Sequence, residues 1–323
     1  MKLIRFSRIA TPLLAGALLL TACGGDNNTD TANAGTGSGS EELSGSVKVD
    51  GSSTVAPLTT AAAEFFKEEQ SGVNVTVGTS GTGGGFEKFC AGETDISDAS
   101  RPIDGEEEVP LCEEAGVEYT EIPVANDALT VVVSAENDWA DCLTTEQLKA
   151  IWEPGSKVSS WKDVDASFPD EKLDLFGPGT DSGTFDYFTD VINGEEGASR
   201  EDYSPSEDDN VIVQGVSGSK GGLGYFGFTY FEENSDTLKA LEIDSGDGCV
   251  APSAETAQDG TYTPLSRPLF IYPSKAASAK PEVKAFLEFY LENDAEIAEA
   301  AQYIPLNDEQ KSEAQSAFDA LVG

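Results

Sequence analysis

From Ser46 onward the chain alternates short apolar runs with amphipathic stretches, and this alternation restricts its fold more than any other feature. Val73, Val75 and Val77 alternate with polar residues, as in a strand with one buried face. Val283, Phe286, Leu287 and Tyr290 recur instead at helical spacing. Strands interleaved with helices build an α/β architecture. Strands are expected at 47–49, 73–77, 95–99, 119–124, 129–133, 173–176, 223–228 and 269–272. Helices are expected at 57–69, after the glycine run 81–85, after a Thr cap at 144–145, after 181–184, and three times between 283 and 321. No internal repeat is present.

The first 22 of the 323 residues carry Lys2, Arg5 and Arg8, then an apolar run through Leu13, Leu14 and Leu18 to Leu20, without an acidic residue. That pattern is a secretory signal and not a fold element. Leu20, Thr21, Ala22, Cys23 and Gly24 look like a bacterial lipoprotein cleavage box, which would make Cys23 the lipidated N-terminus of an exported chain facing the periplasm or cell exterior. A plain secreted chain with an incidental cysteine is the other reading. Residues 23–44 are rich in Gly, Asn, Thr and Ser and read as a flexible tether. The later cysteines, Cys90, Cys112, Cys142 and Cys249, are even in number, which in an exported chain favours disulfides over zinc because no CxxC spacing occurs. Three connectivities are open; Cys90 with Cys112 and Cys142 with Cys249 would keep each bridge inside one lobe of the division given below.

Charge and histidine content exclude several functions. With 19 basic and 59 acidic residues the net charge is −40, and it becomes −43 once the three cations of the leader are removed. Such a surface cannot replace the counterions of nucleic acid. Histidine is absent, which removes Ser-His-Asp and Cys-His catalysis and His-ligated metals. The acidity is spread through many segments, as a solvated surface is. Asp244-Ser245-Gly246-Asp247-Gly248 lacks the spacing of a calcium loop, so no metal site is expected.

Three segments share one design, in which a strand ends, a turn of Gly, Ser and Thr follows, and a helix begins. They are 51–54 (GSST), 80–85 (SGTGGG) and 180–184 (TDSGT). Each places backbone N–H groups and small hydroxyls at a helix start, where the dipole favours an anion. Singly, each is an ordinary N-cap; together they suggest a small tetrahedral oxyanion held by neutral donors. A buried dianion also needs a cation. Of the three arginines beyond the leader, Arg200 reads as acid-flanked surface, and Arg267, before Pro268 and a strand, as structural. Arg101, at the end of a strand, is the one expected to grip two oxygens, with a structural ion pair as its other reading.

These residues resemble the phosphate-binding protein of high-affinity phosphate ABC importers. The resemblance runs from about residue 47 to 306 through GSSTVAP, GTSGTGGGFEKF, TDISDASRPI, LTTEQLKAIWEPGSKVSSWKDV, GPGTDSGTFDYF, GGLGYFGF, RPLFIY and YIPL, in order. It implies an α/β, two-lobed periplasmic-binding-protein fold of type II with the ligand cleft between lobes, here 45–124 plus 263–323 and 125–262. It also implies phosphate contacts at Ser53 and Thr54, at Thr82 with Ser80 and Gly83 nearby, and at Ser182, Gly183 and Thr184. The chain departs from the family pattern at Ser100, where an aspartate is expected, and at Pro178, in place of an arginine shortly before the third turn. Arg101 would supply the charge and Asp181 the carboxylate, with Asp98 the alternative to Asp181. Phosphate keeps a proton that it can donate, whereas sulfate has none, so a facing aspartate accepts from the one and repels the other. The resemblance implies a non-enzymatic, monomeric receptor without cofactor, which delivers inorganic phosphate to the importer's permease subunits. Sulfate, molybdate or arsenate is the alternative ligand. A phosphate-ester enzyme would need a base that is not evident, and an adhesin would leave the three turns unexplained.

Overall fold

Thirteen consecutive residues, Ile122–Ser134, form one strand buried at every position, and the rest of the fold is arranged about it. The computed structural model describes residues 43–180 and 182–323. The expected signal peptide, residues 23–42 of the expected tether with Cys23, and Asp181 lie outside the described residues. The strands are β1 Gly45–Gly51, β2 Val73–Gly78, β3 Ile96–Ala99, β4 Ile122–Ser134, β5 Cys142–Thr144, β6 Asp174–Pro178, β7 Ser204–Ser206, β8 Gly222–Gly227, β9 Leu238–Ala240, β10 Glu242–Asp244, β11 Cys249–Val250 and β12 Ser266–Pro273.

The large mixed sheet has the order β2-β1-β3-β12-β4-β8-β6-β7, with β9 also on β4; β11-β10-β5 form a small second sheet. In the large sheet β1 is parallel to both β2 and β3, and β12 lies antiparallel between β3 and β4. The first half of β4 pairs with β12, through Asp127 opposite Arg267; the second half pairs with β8, through Val131 opposite Tyr225. The strands expected at 119–124 and 129–133 are thus one element. Asn126 and Asp127 look like a break in the sequence, but both are buried in the strand, Asn126 bonded to Gln310 and Asp127 to Arg267.

Two principal apolar cores lie on either side of this crossing. One joins Val47, Leu58 and Phe66 to Val283, Phe286 and Leu321; the other joins Leu129 and Val131 to Trp152, Trp161, Tyr225 and Leu265. In the second, Phe188 and Tyr225 stack with ring centroids 3.9 Å apart. The expected Thr cap is present: Thr144 accepts from the Gln147 amide and Gln147 returns a bond to the Thr144 amide, starting helix Thr145–Trp152.

Both disulfides form, Cys90 with Cys112 and Cys142 with Cys249. The first ties helix Gly81–Cys90 to helix Glu108–Ala115, and the second ties β5 to β11. The Asp244 carboxylate is occupied by the Gly246 and Gly248 amides of its own loop. The surface reading of Arg200 is corrected: it is 7 % exposed and donates to the Ile151 and Val158 carbonyls as well as to Asp202. Its acidic neighbours in sequence concealed a guanidinium that satisfies one carbonyl at a helix end, that of Ile151, and one in the following loop, that of Val158.

Candidate functional site

The three turns reach one place because of the order of the sheet. β1 ends in the first, β2 leads into the second, and the third follows β6 across the β12-β4 crossing. A cleft of about 540 Å³ is lined by Ser52, Ser53 and Thr54 from the first turn, by 80–84 from the second, and by Gly183 from the third. Ser100, Arg101 and Arg267 also line it, together with the acidic side chains Asp186, Asp190 and Glu196.

The first and third turns share a local device. The Ser52 hydroxyl accepts from the Thr54 amide at 3.2 Å, and the Ser182 hydroxyl accepts from the Thr184 amide, also at 3.2 Å. Gly183 lies against the first turn so closely that a Cβ there would be 3.0 Å from Thr54 Oγ1. A larger residue there would have to displace the Thr54 side chain. The first and second turns meet in the same way, because a Cβ on Gly85 would be 2.5 Å from the Gly51 Cα.

Of the residues expected to contact a ligand, Ser53, Thr54, Ser80, Thr82, Arg101 and Gly183 line this cleft. Ser80 is already engaged, its amide and hydroxyl both bonded to Asp50 Oδ1. Burial works against the Asp50 carboxylate, yet its bonds to Lys88 and Ser80 together hold it below the usual range, so it anchors the second turn as an anion. The Thr82 hydroxyl is 3.1 Å from that of Ser100. Ser182 caps its own turn, and Thr184 faces a neighbouring cavity of about 180 Å³ with Asp127, Asp209 and Tyr303. Asp98 is wholly buried behind the cleft rather than lining it.

The two arginines differ in what holds them. Arg101 is forked onto Glu108, with both bonds at 2.8 Å, and its side chain is 47 % exposed. Arg267 is 18 % exposed; its Nε donates to Asp127 at 3.2 Å and its Nη2 to Thr54 Oγ1 at 3.1 Å, and its guanidinium lies 3.6 Å from the centroid of the Tyr187 ring. Arg267 therefore joins β12, β4, the first turn and the helix Gly183–Phe188 at the cleft wall. Burial pushes the Asp127 carboxyl up against the pull of Arg267. Burial, and then the charge of Glu196, likewise push Asp186 up while Arg267 opposes them. The wall thus presents a fixed cation beside a carboxyl group, among hydroxyls and helix starts.

The PBP superfamily domain matches residues 35–294. Protein SphX of a Synechocystis strain is 49 % identical over 271 residues, covering 83 % of this chain and 80 % of its own. The phosphate-binding protein PstS of Staphylococcus aureus strain USA300 is 40 % identical over 298 residues, covering 92 % of this chain and 86 % of its own. Among solved structures, a possible phosphate binding protein from Planctomyces limnophilus has 48 % identity and a TM-score of 0.82, covering 87 % of this chain and all of that one. The phosphate transport receptor of Vibrio cholerae, at 21 % identity and a TM-score of 0.65, shares the fold over 80 % of this chain and 99 % of that one.

Proposed function

The chain belongs to the phosphate-binding proteins of the PBP superfamily, and from that premise we propose that it captures inorganic phosphate in the cleft and delivers it to the permease subunits of an ABC importer. The observation that carries this reading is the convergence of all three Ser, Thr and Gly turns on one cleft whose wall holds Arg267. Hydroxyls and helix starts supply neutral donors, and one deep guanidinium supplies charge without the desolvation cost of several. We assign the contacts to Ser53, Thr54, Thr82, Gly183 and Arg267, with Ser182 and Thr184 shaping the third turn that presents Gly183. Ser80 and Arg101 complete the wall, Ser80 through Asp50 and Arg101 through Glu108. In this reading 45–124 with 263–323 forms one lobe and 125–262 the other, and the cleft closes about the crossing strands. The protein acts outside the cytoplasm as a monomeric, non-catalytic receptor, held to the membrane by a lipid on Cys23. No described helix is long and apolar enough to cross a membrane.

The test is calorimetric titration of the full chain, freed of bound anion by unfolding and refolding, with phosphate, sulfate, arsenate and molybdate. One-to-one phosphate binding with no heat from sulfate is expected. Heat from another oxyanion with none from phosphate would move the chain to a different importer.

Asp186 is the described carboxyl we assign to proton recognition, because it lines the cleft and feels Arg267. Asp186→Asn is expected to narrow the preference for phosphate over sulfate by about tenfold, since the amide no longer repels a fully ionised anion. An unchanged ratio in Asp186→Asn, with a reduced one in Asp181→Asn, would transfer the role to Asp181.

A further inference from the structure

Behind the first turn is a carboxyl group to which phosphate capture gives no direct part. Asp98, in β3, is wholly buried. Its Oδ1 accepts from the Thr59 hydroxyl at 2.9 Å, Thr59 Oγ1 is 3.3 Å from the Tyr290 hydroxyl, and Oδ2 has no partner among the described residues. The charged or titratable groups acting on it from surrounding elements are Asp50 of β1, itself paired with Lys88, and Tyr290 of helix Pro281–Glu292. No described cation compensates it.

The same residue carries the first turn on its backbone. The Ser52 amide donates to the Asp98 carbonyl at 2.9 Å, and Gly51 is the register partner of Asp98. At Gly51, φ is +147° and a Cβ would be 2.1 Å from the Asp98 carbonyl oxygen, so the turn lies directly on this residue. Thr59 belongs to helix Ala56–Glu69, which begins where the turn ends. Asp98 thus fastens both ends of the phosphate loop, one by its main chain and the other by its side chain.

We propose that Asp98 is a positioning residue for the first turn, bracing it while neutral, and that its ionisation loosens the turn and weakens phosphate binding. The last clause rests on the phosphate reading; the bracing does not. A buried carboxylate with one donor and no cation is costly, and a bound anion nearby makes it costlier. Burial, opposed by Thr59 and reinforced by Asp50, pushes the carboxyl up to about 8. Because the folded state binds this proton more tightly than the unfolded one, the stability it contributes is complete below the ordinary Asp range and lost as pH rises to about 8. Phosphate affinity follows in the next interval, falling as pH rises through about 8, where inorganic phosphate still keeps its last proton.

The experiment compares the full chain with Asp98→Asn and Thr59→Val, by phosphate calorimetry from about pH 7 to 9.5 and by amide hydrogen exchange at residues 52–54 corrected for intrinsic rates. The unmodified chain is expected to lose about tenfold in affinity across that range, equivalent to one pKa unit of coupling, while Asp98→Asn stays flat. Thr59→Val removes the bond favouring the carboxylate and should move the fall to higher pH. Exchange at 52–54 should accelerate through the same interval in the unmodified chain and not in Asp98→Asn. An alkaline fall and exchange profile retained in Asp98→Asn, or a fall unmoved in Thr59→Val, would overturn the proposal. If Asp98→Asn does not fold, Thr59→Val decides. Should phosphate bind at no pH, the ligand reading fails while the exchange profiles still decide the bracing.

Discussion

Arg267→Gln is expected to weaken phosphate binding by at least about a hundredfold, near 3 kcal/mol, the largest loss from any single replacement in the cleft. Among the described residues the guanidinium has two hydrogen bonds, to Asp127 and Thr54, and its Nη1 has no acceptor, leaving that edge for a ligand. Glutamine removes the charge and also strands Asp127, a nearly buried carboxyl whose described ion-pair partner is Arg267. Fold and function can therefore fail together, and a second replacement separates them. Arg267→Gln with Asp127→Asn should regain most of the lost melting temperature, because no unpaired charge remains, but none of the affinity. Arg267→Lys keeps the charge without the planar fork and should lose about tenfold. Calorimetry on the three variants checks the set. If Arg101→Gln costs more affinity than Arg267→Gln, the assignment of the cation is reversed.

Opening Cys142–Cys249 is expected to cost the fold about 4 to 5 kcal/mol, because the bridge closes a sequence separation of 107 and so removes much of the unfolded chain's freedom. The Cys90–Cys112 bridge spans only 22, for which the same argument gives about 3 kcal/mol. Cys142→Ala with Cys249→Ala should lower the melting temperature by about 10 °C or more. It should leave phosphate affinity in place, since neither cysteine lines the cleft. Scanning calorimetry against the Cys90→Ala, Cys112→Ala pair is the check. A smaller loss from the longer loop would show that strain or residual unfolded structure, and not loop entropy, governs this bridge.

Local features of the site were legible in the sequence, and long-range ones were not. The three turns could be read because glycine and small hydroxyls recur together at three helix starts; the helices after the first and third begin within a residue or two of the expected places, whereas the second begins at Gly81, so the glycine run expected to precede it forms its first turns instead. The role of Arg267 was hidden. Its meaning comes from Asp127, 140 positions away and opposite it across β12 and β4, and no spacing along the chain announces such a pair. The acids Asp186, Asp190 and Glu196 are not distinguished in the sequence from the many other acidic residues, and it is the packing of the third turn against the first that brings them to the cleft. Small strands such as β7 and β11, of three and two residues, carry too few side chains to show a period.

The chain leaves the first core along β4 and returns to it along β12, so every residue of the second core lies between Leu129 and Leu265 while the first draws on both ends, from Val47 to Leu321. For a chain that emerges from a ribosome or a translocase amino end first, this topology sets an order of completion. The inner core has all its parts once β12 begins to appear, but the outer one must wait for its last helix, and until then Val47, Leu58 and Phe66 lie in a core that is only partly assembled. The first turn, at residues 52–54, is among the first parts of the cleft to be made and among the last to be fixed.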